Sequence, residues 1–593
     1  MDTDHYAPEP QITVLDTGGQ YCHLIARKVR DLGVYSEVRP SETPAARIAS
    51  RKGIIISGGP NSVYEEGSPT VDAGIFSSGP AVLGICYGQQ LMARLLGGVV
   101  EKGAKGEFGL ALLDLEAPSP LFEGVASHRQ VWMSHRDTVR ALPDGFRILA
   151  RTSTCPFASM GHTDGRLYGV QFHPEVVHTH QGKEILSNFL FRICGCQKDW
   201  NPKYRVPLIE EKIRDAAGGR KVFFFVSGGV DSTVAFTLCL RALGPDRAHG
   251  IYVDTGLMRE GETESVREIF LGNSASFEVL DARERFLGAL AGARDPEEKR
   301  RIIGEEFVQV QEEALESRHL LDEGWVLGQG TIYPDTIESG GTVKAAVIKT
   351  HHNRVPGILR LMETGRIVEP LSSLYKDEVR EVGRELGLPE ELLDRHPFPG
   401  PGLAVRCLCA AATEPVSETA EGWLLPVRSV GVQGDSRSYA RVICIDRFPS
   451  PEANLQETAT ELINALSGVN RVVARVGSKT PISEMQVFES SLSAERIGRL
   501  RCADAIVRRL SHESGFDRTV WQFPVILIPL GQSGAPDSVV LRPVDSVDGM
   551  TAQSVSMPEA LLSSISEELL SLQGICGVFY DLTHKPPGTI EWE

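Results

Sequence analysis

The stretch Val222-Phe-Phe-Phe-Val-Ser227-Gly228-Gly229-Val230-Asp231-Ser232-Thr233 constrains the architecture of this chain more than any other. An apolar strand runs straight into a glycine turn and then into helical pattern. That succession belongs to an α/β sheet, where a strand, a tight turn and a helix follow one another in a few residues. Glycines carry no Cβ, so successive backbone N–H groups can close around phosphate oxygens at the positive end of the following helix. The turn starts with serine, carries an aspartate and lacks the lysine of the Gly-Lys-Ser/Thr loop. The anion predicted here is therefore a pyrophosphate rather than a γ-phosphoryl group in transit.

At 593 residues the chain is too long for one core, and roughly three to four domains are expected. Hydrophobic content of 41% with 23% charged residues is that of a folded protein, and no apolar run approaches the ~20 residues of a membrane span. The start Met1-Asp-Thr-Asp-His5 is acidic and polar, unlike a secretory signal, so a cytoplasmic protein is expected. Eleven cysteines without metal-ligand spacing fit reduced thiols, with the pairs Cys194, Cys196 and Cys407, Cys409 incidental. A net charge of −17 argues against a nucleic-acid partner, because neutralising a phosphate backbone needs a basic surface.

In the first two hundred residues, Gln11–Asp16, Gly53–Ser57 and Ala81–Cys86 are β-rich runs, each followed by a glycine turn and helical pattern. The third ends Gly84-Ile-Cys86-Tyr87-Gly88-Gln89-Gln90, a nucleophile elbow predicted to expose the Cys86 sulfur at a helix N-terminus. His173-Pro174-Glu175 supplies a base and a carboxylate to fix its tautomer. Gly58-Gly59-Pro60 and the N–H of Tyr87 can bind an oxyanion. Each piece alone is also compatible with a structural cysteine or a surface histidine. In this order, the pieces resemble class I glutamine amidotransferases from residue 11 to about 195. That resemblance implies attack of Cys86 on the glutamine amide, with Gly58, Gly59, Tyr87 and Gln90 at the oxyanion and the substrate. Arg136 departs from it, standing after Val131-Trp-Met-Ser-His135 where glycine is expected.

Trp200-Asn-Pro202 breaks the pattern and hands over to a second domain. Its loop, Ser-Gly-Gly-x-Asp-Ser, resembles the signature of the N-type ATP pyrophosphatases, which adenylylate a substrate with Mg²⁺. Ala248–Asp254 reads as the next strand, and Asp254 at its carboxyl end is either an adenosine contact or a plain strand terminus. Further on, Leu327-Gly-Gln-Gly-Thr331 follows a third strand, and Lys349, His351 and His352 are expected to touch phosphate. Neighbouring histidines on a strand point to opposite faces and could not readily share a metal. Lys376–Gly387 is helical scaffold with a glycine stop. The run His396-Pro-Phe-Pro-Gly-Pro-Gly-Leu403 is a shaped loop, unable to form a helix or a central strand.

The last third is duplicated. Gly468-Val-Asn-Arg-Val-Val-Ala-Arg-Val-Gly-Ser-Lys479-Thr-Pro481 and Gly574-Ile-Cys-Gly-Val-Phe-Tyr-Asp-Leu-Thr-His-Lys585-Pro-Pro587 share glycine, apolar strand, lysine and proline in step. Each unit reads strand, strand, helix, strand, and such units pair with each other or across a two-fold axis. Asp435 and Arg437 occur in the first unit alone, and the tail to Glu591-Trp-Glu593 in the second alone.

The order of these motifs, with the proline loop and the tail Lys585-Pro-Pro-Gly-Thr-Ile-Glu591-Trp-Glu593, resembles the glutamine-hydrolysing GMP synthetase family over nearly the whole chain. The implied fold is α/β: amidotransferase over 1–200, ATP pyrophosphatase over 201–402 and a duplicated α+β dimerisation and XMP-binding region over 403–593, with units of about 410–482 and 515–593. The implied reaction takes XMP, ATP, glutamine and water through an adenyl-XMP intermediate to GMP, AMP, pyrophosphate and glutamate. By the same resemblance, residues Ser227, Gly228, Gly229, Val230, Asp231, Ser232 and Thr233 with Asp254 bind ATP, and Asp231 serves Mg²⁺. Arg300 (or its neighbour Arg301), Asp435, Arg437, Gln522, Lys585 and Glu591 meet XMP. A monomer or homodimer is expected. Because ammonia loses its nucleophilicity on protonation, glutamine hydrolysis is expected to stay slow until ATP and XMP are bound. Competing readings are a synthetase for the adenylated nicotinate nucleotide of NAD synthesis, whose usual glutaminase is of another fold, and a nucleotide sensor with a retired site, which the intact Cys86, His173 and Glu175 oppose.

Overall fold

The computed structural model describes residues 9–19, 21–270, 276–333, 335, 355–433, 436–446, 455–466, 468–546 and 552–593. The chain divides into two compact units, one running through Lys212 and taking in Leu371–Tyr375, the other holding Ile213–Gly330 and everything from Lys376 onward. No described helix is long and apolar enough to cross a membrane.

The first unit is built on nine strands: β1 (Ile12–Asp16), β2 (Ser36–Pro40), β3 (Gly53–Ile56), β4 (Ala81–Ile85), β5 (Val99–Leu115), β6 (Arg129–Ala141), β7 (Phe146–Arg151), β8 (Ser159–His162) and β9 (Leu167–Val170). They lie in the order β2-β1-β3-β4-β9-β8-β7-β5-β6. The five from β2 to β9 are parallel, and the pairings from β8 onward are antiparallel. The unbroken apolar runs of β1, β3 and β4 follow from burial on both faces, as a parallel sheet requires. Alternate residues feed separate cores: Val14, Ile55 and Leu83 pack on one side, and Leu15, Ile54, Ile56 and Val82 on the other. Pairing of β4 with β9 brings two carboxyl ends together, one leading to Cys86 and the other to His173, with the Cys86 N–H donating to the Val170 carbonyl at 2.7 Å.

The second unit opens with a parallel five-stranded sheet of β10 (Lys221–Val226), β11 (Ala248–Asp254), β12 (Phe277–Asp281), β13 (Trp325–Gly328) and β14 (Ile367–Val368), ordered β12-β11-β10-β13-β14. The chain leaves β10 towards β11 on one side and returns as β13 on the other, so the Ser227 loop sits where strand order reverses. In doubly wound sheets that crevice is where ligands bind. The expected loop His396–Leu403 is irregular up to Pro401 and then tightens into a 3₁₀ turn, Gly402–Arg406.

The C-terminal sheet has seven strands, with Ser417–Glu418 at one edge. The others are β15 (Trp423–Gln433), β16 (Ser436–Ile445), β17 (Val469–Ser478), β18 (Val525–Ile528), β19 (Asp537–Leu541) and β20 (Ile575–Asp581). Within each repeat the first two strands are antiparallel and the third is parallel to the second, reached through the helices Leu455–Ala465 and Glu559–Ser571. The repeats join through their last strands, β17 antiparallel to β20. One apolar core runs through the second unit, containing Val253, Leu257 and Phe286 together with Val472, Leu500, Val578 and Tyr580.

Candidate active sites

Cys86 follows β4 and caps the helix Tyr87–Leu95 with φ 52° and ψ −105°, a region that costs a non-glycine residue on the order of 1–3 kcal/mol. Glycines make this turn possible: a Cβ on Gly84 would lie 2.5 Å from the Gly88 carbonyl carbon, and one on Gly88 would lie 2.4 Å from the Ile56 oxygen. The sulfur does not stand exposed as the elbow pattern suggested. Cys86 is 5% exposed, because β6 and β9 wall it in, with the Ser134 carbonyl 3.7 Å from Sγ and Gln171 Nε2 donating to Sγ at 3.5 Å. Burial opposes ionisation of the thiol, yet the hydrogen bond and charge of His173 outweigh it and hold the Cys86 pKa below its ordinary value. Burial likewise opposes the imidazolium, but Glu175 and the Cys86 sulfur push His173 well up. His173 Nδ1 and Glu175 Oε1 are 2.7 Å apart and both side chains are buried. The arrangement favours a thiolate–imidazolium pair braced by a carboxylate.

Gly58 lies against this pair, where an added Cβ would be 3.1 Å from His173 Cε1 and 3.7 Å from Cys86 Cβ. Gly59 follows it beside the Tyr87 ring, and Tyr87 is the first residue of the helix, where N–H groups have no intrahelical acceptor. Gln90 is committed within the protein: its amide donates to the Asp137 carbonyl at 2.9 Å and to Gln171 Oε1 at 3.1 Å, so it reaches the sulfur through Gln171.

Sequence reading missed Gln171, His135 and Glu107. His135 faces Glu107 across the β5–β6 pair, its Nε2 3.2 Å from Glu107 Oε2 and its Nδ1 2.9 Å from the Asp137 carbonyl. Burial disfavours its charge, but Cys155 and Glu107 overcome this and push the imidazole up to about 10. The resulting cation adds to the field that lowers the Cys86 thiol. Donor atoms of Glu107, His135 and Cys155 lie within 4.8 Å of one another, a spacing a metal could use, and His135 Nε2 is 3.2 Å from Glu107 Oε2. Arg136, next along β6, is exposed.

The second site is the loop after β10. Ser227 and Ser232 hydroxyls are 2.9 Å apart, and Ser232 Oγ also meets the Ser227 N–H at 3.2 Å and the Gly229 carbonyl at 3.2 Å. These bonds shape a turn in which Gly228 takes φ 78° and Gly229 caps the helix Val230–Leu243. Asp231 enters in the first helical turn, its Oδ2 3.6 Å from Lys376 Nζ, and Thr233 is buried behind it. Asp254 uses its carboxylate locally, accepting from the Gly256 N–H at 2.9 Å and from the Thr263 hydroxyl at 3.0 Å, and so holds the turn after β11. A Cβ on Gly330 would lie 2.9 Å from Ser232 Cα, so the turn after β13 also presses on this loop.

The third group is C-terminal. Arg406 grips Glu591 with two parallel bonds of 2.8 and 2.7 Å, and Gln522 Nε2 lies 3.4 Å from Glu591 Oε1 while donating to the Pro397 carbonyl at 2.8 Å. Arg300 donates to the Glu593 carbonyl and Lys299 pairs with the buried Glu593 carboxylate at 2.6 Å, whereas Arg301 pairs with exposed Glu305. Lys585 is half-buried, with its backbone bridged to Ala552. Asp435, Lys349, His351, His352 and the side chain of Arg437 lie outside the described residues.

Residues 13–193 match the family model described as Glutamine amidotransferase class-I, 203–284 that described as NAD synthase, and 510–592 that described as GMP synthase C terminal domain. A probable GMP synthase [glutamine-hydrolyzing] of Leptospira interrogans is 42% identical over 98% of this chain and 99% of its own length. A GMP synthase [glutamine-hydrolyzing] of Caldicellulosiruptor saccharolyticus is 41% identical, covering 98% of this chain and 99% of the relative. One from Thermomicrobium roseum is 46% identical, covering 79% of this chain and 95% of itself.

Proposed function

Because the chain belongs to the glutamine-hydrolysing GMP synthase family, we propose how its residues divide the work of that reaction. The enzyme makes GMP from XMP, ATP, glutamine and water through an adenyl-XMP intermediate, releasing AMP, pyrophosphate and glutamate. In the first step the Cys86 thiolate attacks the side-chain amide carbon of glutamine. The oxyanion takes N–H groups from Gly59 and Tyr87, and His173 gives its proton to the departing ammonia. Water then hydrolyses the thioester, with His173 as base and Glu175 stabilising the imidazolium. Gln171, backed by Gln90, holds the sulfur through its side-chain amide.

At the second site the xanthine C2 oxygen attacks the α-phosphorus of ATP, and pyrophosphate leaves into the N–H groups of residues Ser227, Gly228, Gly229, Val230, Asp231, Ser232 and Thr233. Asp231 fits a Mg²⁺ ligand, since this ion commonly takes one or two carboxylates and completes its shell with phosphate and water. The ion would neutralise charge on the leaving pyrophosphate. Asp254, tied to Gly256 and Thr263, orders the adenosine edge rather than offering a free carboxylate. Ammonia then displaces AMP from C2. Arg300, Gln522, Lys585 and Glu591 hold XMP together with Asp435 and Arg437, while Lys349, His351 and His352 contact phosphate. We place the enzyme in the cytoplasm as a monomer or homodimer.

The observation that carries the division of labour is the buried, strained Cys86 in contact with a His173 whose charge Glu175 fixes at 2.7 Å. In the test, Cys86→Ala is supplied with XMP, ATP and Mg²⁺ plus either ammonia or glutamine. Ammonia should still give GMP and pyrophosphate, and glutamine should give neither. Loss of both activities would refute the division.

A further inference from the structure

Arg471 on β17 and Arg542 just beyond β19 converge on one carboxylate. Arg471 Nη1 is 2.8 Å and Arg542 Nη1 2.7 Å from Asp581 Oδ2, and all three side chains are 0% exposed. Trp592 Nε1 donates to the same oxygen at 2.8 Å. Two guanidinium groups against one carboxylate leave a buried positive charge in excess, which costs several kcal/mol unless polar groups solvate it. Glu591 does not cancel it, being gripped by Arg406.

The compensation comes from main-chain carbonyls of the tail. Arg542 donates to Thr583 at 2.9 Å, Thr589 at 2.8 Å and Ile590 at 2.9 Å. Arg471 donates to Thr589 at 3.0 Å and, on the other side, to the Val430 carbonyl of β15 at 3.1 Å. Thr589 Oγ1 also donates to the Val430 carbonyl at 2.8 Å, and the Val430 N–H donates to Trp592 at 2.8 Å. The stretch fixed in this way carries Lys585 and Glu591. The two arginines therefore lock the tail of the second repeat onto β15 of the first.

We propose that Arg471 and Arg542 are the positioning residues of the nucleotide site, registering the tail against the first repeat so that its Lys585 and Glu591 meet XMP. This rests on the assignment of XMP to the tail above. Only arginine has donors enough to hold a carboxylate and several carbonyls at once. The excess charge also makes the surroundings of the tail favourable to an anionic nucleotide.

The test uses the full-length enzyme with Arg471→Lys and Arg542→Lys, which keep charge and lose the fork, and Thr589→Val, which creates no unpaired charge. XMP binding is measured by calorimetry and kinetics with ammonia as donor. Expected are about tenfold or greater rises in Kd and KM for XMP, with kcat within about threefold and the KM for ATP unchanged. A merely structural role would lower the melting temperature and disturb ATP and XMP alike. If an arginine variant does not fold, Thr589→Val decides, and an unaltered KM for XMP in it overturns the proposal. Unaltered XMP binding in folded arginine variants does the same. Failure of the unmodified enzyme to bind XMP would instead sink the functional assignment beneath it.

Discussion

Glu175→Gln removes one charge and changes almost no volume, so its cost can be worked from geometry. Glu175 Oε1 is 2.7 Å from His173 Nδ1, with neither side chain in contact with solvent to any extent that would screen the pair. Unit charges centred about 4 Å apart interact by about 4 kcal/mol at an effective dielectric of about 20. A neutral amide hydrogen bond retains roughly 1 kcal/mol of this. The difference, about 3 kcal/mol, is roughly two orders of magnitude in the fraction or reactivity of the thiolate–imidazolium pair. Two opposing effects on Cys86 must be weighed. The Glu175 charge by itself raises the thiol pKa, so its loss alone would help ionisation. The His173 hydrogen bond and charge are the stronger influences, and they depend on Glu175. Glutamine-dependent GMP formation should therefore fall about 10²–10³-fold, with ammonia-dependent formation within about twofold of the unmodified enzyme. The pH profile of Cys86 alkylation should shift upwards. Retention of more than a tenth of the glutamine-dependent rate, or an equal fall with ammonia, would refute the reasoning.

Gly330→Ala drives a Cβ to 2.9 Å from the Ser232 backbone, which cannot yield without moving the anion loop. The KM for ATP, read from pyrophosphate release, should rise by roughly 5–20-fold, the equivalent of about 1–2 kcal/mol of overpacking, while glutamine hydrolysis by Cys86 at saturating ATP and XMP is unaffected. For Glu593, burial pushes the carboxyl up to about 7 despite the attraction of Lys299. A carboxyl raised on folding contributes most below the pKa of the unfolded chain, so stability should fall as pH climbs from about 5 to about 8. Glu593→Gln should flatten that decline in thermal melts of the second unit, and an identical slope in both proteins would count against it.

The parts of the sites visible in sequence are those written along one short segment. The Cys86 elbow combines an apolar strand with glycines at fixed offsets, and both are local. The same holds for the Ser227 loop and for His173 with Glu175, two residues apart. Gln171 and His135 escaped notice because their roles depend on strand register: Glu107 meets His135 only through the β5–β6 ladder, and Gln171 meets Cys86 only because β9 lies beside β4. Exposure of the Cys86 sulfur was misjudged for the same reason, since the walls of its pocket come from β6 and β9. Asp254 shows a further limit: an acidic strand end reads equally as a ligand contact or a strand terminus, and its bonds to the Gly256 N–H and the Thr263 hydroxyl are set by the following turn and helix. The repeat in the last third could be read from two aligned motifs. The burial of Arg471 and Arg542 could not, because arginine in a strand or at its end ordinarily signals the solvent side, and here paired neighbours reverse it.

The antiparallel joint between β17 and β20 has a consequence for how this region behaves. Two repeats of one shape meet here as subunits of a symmetric pair would, but one chain supplies both. Their local concentration is set by the linker, so lowering the protein concentration does not pull them apart. Freed from having to match an identical copy of itself, each half could diverge, and only one of them ends in the stretch from Lys585 to Glu593.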